Sequence, residues 1–235
     1  MVKTQSNPKL SIIIPTLNEA AHLPLLLADL NLFQNNFELV LIDCGSKDLT
    51  IFIAKLAGAR ISEINEANRG KQLQKGANLA KGEWLLFLHA DSRLHNDWPE
   101  NVTRIINTPN SKKNAWFFDF KVNKRTIDFR LLELAVSFRS SFFHRPYGDQ
   151  GLLISKNLYK SIGGFKELNI MEDLDLIIRL SKKVELRRIG LPLYTDTRKW
   201  QKGNVLKQAV KNAIYRYKWK KGYDIKLLSK NYYEN

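Results

Sequence analysis

Asp91 is the side chain whose position in the sequence most clearly suggests chemistry. It follows a continuous apolar run, residues 84–88, which itself follows Gly82. A short apolar run of this kind predicts a strand buried on both faces, and a carboxylate at the carboxyl end of such a strand lies where open α/β sheets bind ligands. One carboxylate suits Mg²⁺ or Mn²⁺, which keep their other ligands as water and phosphate oxygens. The alternative is an aspartate that begins a turn or caps the next helix.

Two earlier strands are also predicted to end in residues that could meet Asp91. The β-branched run 10–15 stops at Pro15, and the apolar run 37–42 stops at Asp43. Because the carboxyl ends of parallel strands meet at the same edge of a sheet, we expect these three positions to share one cleft.

A second acidic group, Glu172-Asp173, opens a predicted helix over residues 174–180. Neighbouring side chains on a helix point in different directions, so the two carboxylates need not share a task. A general base must come within about 3 Å of the proton that it removes. The alternative is an acidic first turn that complements the helix dipole.

The elements that position these groups predict an α/β fold. Residues 10–106 alternate between strand and helix patterns with short connections, which predicts a Rossmann-like, doubly wound, mostly parallel sheet flanked by helices. A length of 235 residues suits a single domain of this class. We expect a flexible lead-in over residues 1–9, one domain over 10–204 with halves 10–106 and 107–204, and a basic amphipathic helix and tail over 205–235.

The charge predicts an anionic partner. The chain carries 38 Lys and Arg against 23 Asp and Glu, a net charge of +15. From Arg198 to the end there are eleven Lys and Arg against two acids, so this tail carries +9 of the excess. Its helix could attach to an anionic membrane face, or it could be an ordinary helix with a solvated basic face. No nucleic-acid-reading motif is present, so a specific nucleic-acid partner is not expected.

The lone cysteine and the apolar pattern bear on the compartment. Cys44 excludes an intrachain disulfide and a multi-cysteine metal site, and it fits a reducing environment. The first residues are polar and lack the apolar core of a signal peptide, and no apolar run approaches 18 residues. We therefore expect a cytoplasmic protein that could lie on the inner face of the membrane.

Eight short segments together resemble the motifs of family 2 glycosyltransferases, in that family's order and spacing. Four resemble its nucleotide-sugar half and four its acceptor half, and the match extends over most of residues 10–205. The segments are residues 11–19, 43–48, 68–71, 88–92, 148–150, 163–165, 171–173 and 198–200.

The resemblance implies a glycosyltransferase-A fold and a divalent cation, Mg²⁺ or Mn²⁺. It further implies inverting transfer of a sugar from a nucleotide-diphosphate sugar, with uridine as the expected base, to an acceptor hydroxyl. The acceptor is not identified, and a lipid-linked one would suit the membrane interpretation. The family's Asp-X-Asp motif has His89 at its first position here, and Cys44 replaces a more usual glycine.

The same resemblance assigns roles by position. Asp173, beside Glu172, would be the general base, and Asp91 would be the metal ligand. The nucleotide-sugar site would include Pro15, Thr16, Asn18, Glu19, Asp43, Gly45, Arg69, Lys71, Ala90 and Asp91. The acceptor or sugar site would include Gly148, Asp149, Gln150, Arg198 and Trp200. Residues 16–19 could equally cap a helix, and Arg69 and Lys71 could belong to a solvated turn.

Two other functions fit parts of the sequence. The basic tail would suit a non-enzymatic binder of anionic polymer or membrane, whose binding would weaken steeply with salt. A nucleotidyltransferase that makes the activated sugar would be expected to carry a glycine-rich basic loop after the first strand. Residues 16–19 do not form such a loop.

Overall fold

The computed structural model describes residues 7–124, 126–142, 145–196 and 205–234. The strands are β1 (Leu10–Thr16), β2 (Phe37–Asp43), β3 (Arg60–Glu63), β4 (Trp84–Phe87), β5 (Ser92–Leu94), β6 (Ala115–Val122), β7 (Leu152–Ser155) and β8 (Leu186–Thr195). The α-helices are α1 (Leu23–Leu30), α2 (Thr50–Leu56), α3 (Arg69–Leu79), α4 (Trp98–Asn107), α5 (Ile127–Phe142), α6 (Lys156–Ser161), α7 (Glu172–Ser181), α8 (Val205–Lys220) and α9 (Ile225–Glu234). Short 3₁₀ turns lie at Ser111–Lys113 and Gly148–Gln150.

The described strands form one sheet in the order β3-β2-β1-β4-β7-β6-β8-β5. The first four are parallel, as the alternating pattern predicts. The second half is mixed, because β7 is antiparallel to both of its neighbours and β5 is antiparallel to β8. The expected α/β sheet flanked by helices is confirmed, and the antiparallel pairs are confined to its second half and its junction with the first.

The alternation of side chains along the central strands creates two cores. Ile12 and Ile14 of β1 face one side of the sheet, together with the apolar residues of α1 and α4. Ile13 faces the other side, together with those of α3, α6 and α7. Both faces of β1, β2 and β4 are therefore covered, which is why these strands read as continuous apolar runs. A smaller third core joins α5, α8 and the end of β6.

Several elements differ from the prediction. Helix α3 begins at Arg69, because the side chain of Asn68 caps it by accepting a hydrogen bond from the backbone N–H of Lys71 (2.9 Å). Residues 69–71 thus lie on the first turn of a helix and not on a polar turn. Strand β8 continues to Thr195, where a polar segment was expected, and β5 and α9 had no sequence prediction. Within the described ranges, no helix has the length and apolar character needed to cross a bilayer.

Candidate active site

The loops that follow β1 and β2 meet around the carboxylate of Asp43. Thr16 and Asp43 are paired in the parallel ladder, and both side chains are buried. Asp43 accepts hydrogen bonds from the hydroxyl of Thr16 (2.8 Å) and from the backbone N–H (2.7 Å) and hydroxyl (2.6 Å) of Ser46. The structure therefore gives Asp43 a loop-organising role at the place where the sequence predicts a nucleoside. Pro15, directly before Thr16, is half-buried.

The same two loops are linked further by backbone contacts. Asn18 has a left-handed backbone (φ 55°), which asparagine tolerates better than most residues. Its N–H donates to the Ser46 hydroxyl (2.8 Å), and its side-chain oxygen accepts from the N–H of Lys47 (2.8 Å). The N–H of Glu19 donates to Thr50 (2.8 Å). Gly45, also predicted to bind the nucleotide sugar, makes the turn at φ 78°.

Gln72 is a site-building residue that the sequence patterns did not reveal. Its buried side-chain amide donates to the backbone oxygens of Thr16 (3.0 Å) and Ile42 (2.8 Å). Helix α3 therefore fixes the carboxyl ends of β1 and β2. A glutamine in the interior of an amphipathic helix gives no sequence signal of this role.

Asp91 lies in a tight turn directly after β4. The N–H of Ser92 donates to the backbone oxygen of His89 (3.1 Å), and the N–H of Leu88 donates to that of Ile13 (3.1 Å). Asp91 is only 7% exposed, and Ala90 packs in the core. The turn therefore places Asp91 at the same sheet edge as the ends of β1 and β2.

Gly148 brings the end of β4 close to the start of α7. Its N–H donates to Oδ2 of Asp173 (2.8 Å). A methyl group added to Gly148 would lie 3.1 Å from Nε2 of His89 and 3.2 Å from Oδ2 of Asp173. A side chain at this position would therefore crowd both residues. The close approach joins three predicted motifs in one place.

The two carboxylates at the start of α7 have different surroundings. Glu172 is 1% exposed, and one of its oxygens pairs with Nε of Arg69 on α3. Burial raises the pKa of Glu172, the Arg69 charge opposes this rise, and the neighbouring Asp173 adds to it. Asp173 is half-buried, and its Oδ1 accepts from the N–H of Leu174 (2.7 Å).

The candidate site surrounds a small cavity of about 30 Å³ between the end of β4 and the start of α7. Its walls include His89, Tyr147, Gly148, Glu172 and Asp173. Two larger surface grooves lie elsewhere, one of about 400 Å³ along α8 and one of about 340 Å³ between α5 and β6. We take the cavity beside Gly148 as the candidate site, although it is smaller than the two grooves, because residues of three predicted motifs meet there.

Gln150 and Asp149, the last two residues of the Gly148–Gln150 turn, attach it to neighbouring elements. Gln150 is 1% exposed, and its amide donates to the backbone oxygen of Phe118 (3.1 Å) and accepts from the Ser140 hydroxyl (2.8 Å). The backbone oxygen of Asp149 accepts from the Thr195 hydroxyl (3.4 Å). These contacts give Gln150 a role in holding the turn, and its place in the acceptor or sugar site stays a prediction.

Lys71, Arg198 and Trp200 are the remaining site residues predicted from the sequence. Lys71 forms an ion pair with Glu66 (3.5 Å) near the start of α3. Arg198 and Trp200 lie outside the described residues. Asp196, the last described residue before them, is 3.8 Å from Nε2 of His22, whose Nδ1 is 3.6 Å from Glu19. The end of β8 therefore lies beside the loop that follows β1.

The donor chemistry at Asp91 fits Mg²⁺ or Mn²⁺. Across the described ranges, no three His, Cys, Asp or Glu side chains are grouped to hold a metal ion. An ion at Asp91 would have one hard oxygen ligand from this position and would take others from water and a diphosphate. This is the manner in which Mg²⁺ is usually bound, whereas zinc sites use three or four protein ligands.

Residues 11–147 match the family model described as glycosyl transferase family 2. The chain is also similar to a PGL/p-HBAD biosynthesis glycosyltransferase of Mycobacterium tuberculosis. The two are 32% identical over 180 residues, which cover 73% of this chain and 69% of that protein.

Solved structures show the same fold. The chain is similar to S. aureus TarS 1-349 in complex with UDP-GlcNAc, with a TM-score of 0.65 and 18% identity over 81% of this chain and 59% of that one. It is also similar to glucosyl-3-phosphoglycerate synthase from Mycobacterium tuberculosis in complex with Mn²⁺, UDP and glucosyl-3-phosphoglycerate, with a TM-score of 0.52 and 20% identity over 78% of this chain and 70% of that one. These likenesses confirm the expected fold of glycosyltransferase-A type.

Proposed function

Because this chain belongs to glycosyl transferase family 2 and is a glycosyltransferase, we propose that it transfers a sugar with inversion from a UDP-sugar to an acceptor hydroxyl. The observation that carries this proposal is the approach of His89 and Asp173 to Gly148. It brings the end of the donor-side strand β4 to the start of α7, where a base would meet an acceptor. The UDP and UDP-GlcNAc complexes of structural neighbours support the choice of donor.

We assign donor binding to the first half of the domain, residues 10–106. The two loops around Asp43 would hold the nucleoside, and Asp43 would fix the shape of the base pocket through Thr16 and Ser46. Arg69 and Lys71, on the first turn of α3, would face the phosphates, where the helix N-terminus adds a favourable dipole. The other donor contacts are Pro15, Thr16, Asn18, Glu19, Gly45 and Ala90. We assign the acceptor to residues 107–204, including Gly148, Asp149, Arg198 and Trp200.

Asp173 is the general base of this proposal. It takes the proton from the acceptor hydroxyl while that oxygen bonds to the anomeric carbon and the bond to the diphosphate breaks. Hydrogen bonds from the N–H groups of Gly148 and Leu174 fix the direction of its carboxylate. Glu172 is too deeply buried for this task, and it instead holds α7 to α3 through Arg69.

Asp91 would hold Mg²⁺ or Mn²⁺, which when bound would supply Lewis-acid stabilisation of the departing diphosphate. The Mn²⁺ in the synthase complex supports this assignment. We further propose that the basic helix α8 contacts an anionic membrane surface, on which a lipid-linked acceptor would lie.

Thermal unfolding with UDP, GDP and Mn²⁺ tests the proposal. At a hundredfold excess over Kd, UDP with Mn²⁺ should stabilise the fold by about 2.7 kcal/mol, a rise in Tm of roughly 5–10 °C for a chain of this size. Asp91→Asn should lose the Mn²⁺-dependent part of the rise, whereas Asp173→Asn should keep it and lose sugar transfer. The surface variant Asp97→Asn is the matched control. A wild-type protein whose Tm is unmoved by any nucleotide diphosphate would contradict the proposal.

A further inference from the structure

Two arginines from different helices converge on Tyr147, the residue directly before the Gly148 turn. The guanidinium carbon of Arg139 on α5 lies 3.7 Å from the centre of the Tyr147 ring, and that of Arg216 on α8 lies 5.3 Å from it. Arg139 is also held by the backbone oxygen of Arg145 (3.1 Å). The pair therefore lies one residue away from the backbone N–H that contacts the proposed base.

Two further cations extend this group into what we call the cationic cluster: Arg139, Arg145, Arg216 and Lys220. The pKa of Lys220 is lowered by burial and then by the charges of Arg145 and Arg216. Burial also lowers the pKa of Arg139, while the charge of Asp149 opposes this shift. The charge of Asp173 opposes the shift of Arg139 as well, whereas the charges that act on Lys220 are those of two other members of the cluster, Arg145 and Arg216. Like charges held this close repel one another, and a bound anion would relieve that repulsion.

An exposed apolar stripe leads along α5 to the cationic cluster. Its five side chains recur every three or four residues, which places them on one face of the helix, and each is at least 51% exposed. The last two rings stack with centroids 4.6 Å apart. The opposite face of α5 is buried in the third core. The stripe consists of Ile127, Leu131, Leu134, Phe138 and Phe142.

We propose that the cationic cluster and the α5 stripe bind the phosphate and the hydrocarbon chain of a lipid-linked acceptor. This inference rests on the proposed transferase function and names its acceptor class. Guanidinium groups recognise phosphate through paired charge-assisted hydrogen bonds. Because Arg139 lies between the buried and exposed faces of α5, one molecule can reach both the cluster and the stripe. The acceptor hydroxyl would then lie near Asp173.

Binding of farnesyl monophosphate to the full chain tests this site, with inorganic phosphate and farnesol as the two partial ligands. Titration calorimetry should show farnesyl monophosphate binding at least tenfold more tightly than either. Arg216→Gln should weaken this binding about tenfold, since a hydrogen bond to a charged group contributes about that factor. Lys226→Gln, which removes an exposed charge from α9, should leave binding unchanged.

A second pair of variants tests the stripe. Leu134→Ser should weaken farnesyl monophosphate binding about fivefold through lost apolar contact. The control Leu56→Ser, at a similarly exposed leucine on α2, should leave it unchanged. Equal affinity for inorganic phosphate and farnesyl monophosphate would overturn the lipid assignment. Unchanged binding by Arg216→Gln would overturn the site. Titration of UDP with Mn²⁺ in the same proteins separates the two proposals, since the donor site can stand when this one fails.

Discussion

Glu172 and Asp173 show how two adjacent carboxylates come to have different surroundings. The side chain of Glu172 points into the interior against Arg69, and that of Asp173 points toward Gly148 and the cavity. The proposed function therefore assigns the base to Asp173, because a base must come within about 3 Å of the proton that it removes. In the sequence only the family resemblance favours Asp173, because the exposure and direction of two adjacent side chains cannot be derived from their residue types.

The buried position of Glu172 gives stability a specific pH dependence. A carboxyl whose pKa is raised by folding contributes stability that is complete below its ordinary pKa, about 4.3, and that is lost as pH rises through the raised value. Urea unfolding at a series of pH values should therefore show wild-type stability falling relative to Glu172→Gln above about pH 4.3. The surface variant Glu167→Gln is the control. Wild-type stability that instead rose with pH relative to Glu172→Gln would mean that pairing with Arg69 outweighs burial.

At the scale of elements, α3 connects the two halves of the site. Gln72 holds the ends of β1 and β2, Arg69 holds α7, and Asn68 donates to the side chain of Asn169 (2.7 Å) before α7. The helix can do this because Gly70 lets its first turn approach the backbone of residues 166–168. A Cβ there would lie 2.3 Å from the Lys166 backbone oxygen.

Gly70→Ala should consequently destabilise the protein, although alanine favours helix more than glycine does. Backbone atoms at this distance cannot move aside cheaply, and overpacking of this kind costs about 1–3 kcal/mol. We also expect weaker UDP binding, because the start of α3 would shift away from α7. Asn78→Ala, on the exposed side of the same helix, is the control and should be neutral or slightly stabilising. Equal unfolding midpoints for Gly70→Ala and the wild type would contradict this account.

The parallel half of the sheet could be predicted from sequence because its strands are buried on both faces and alternate with helices. Asp43 and Asp91 could be placed at strand ends for the same reason, and the helical pattern of residues 174–180 placed the Glu172-Asp173 pair at the start of a helix. Strand β5 could not, since its three residues pair with β8, about a hundred residues away in the chain. Gln72 and Arg139 were also missed, because each acts through contacts that only the folded chain creates.

At the scale of the whole molecule, the surplus positive charge is concentrated in the last part of the chain. The tail after residue 197 carries +9 of the net +15, and α8 brings Arg216 to Tyr147 at the edge of the site. The opposite end of the same helix carries Lys207 and Lys211 beside the exposed Val210 and Ile214. The proposed membrane contact would therefore involve α8, at a distance along the chain from the loops around Asp43 that are proposed to hold the nucleotide.

Vesicle co-sedimentation can separate this orientation from a general effect of net charge. Binding should require anionic lipid and weaken as salt is raised, because each lysine near such a surface contributes about 1 kcal/mol and is screened by salt. Replacing Lys207, Lys211 and Lys218 by Gln should reduce vesicle binding by at least tenfold. The same replacement at Lys47, Lys55 and Lys81, in the nucleotide-sugar half, removes equal charge and should have little effect. If both triple variants lost binding equally, net charge alone would account for attraction to the membrane, and α8 would be an ordinary surface helix.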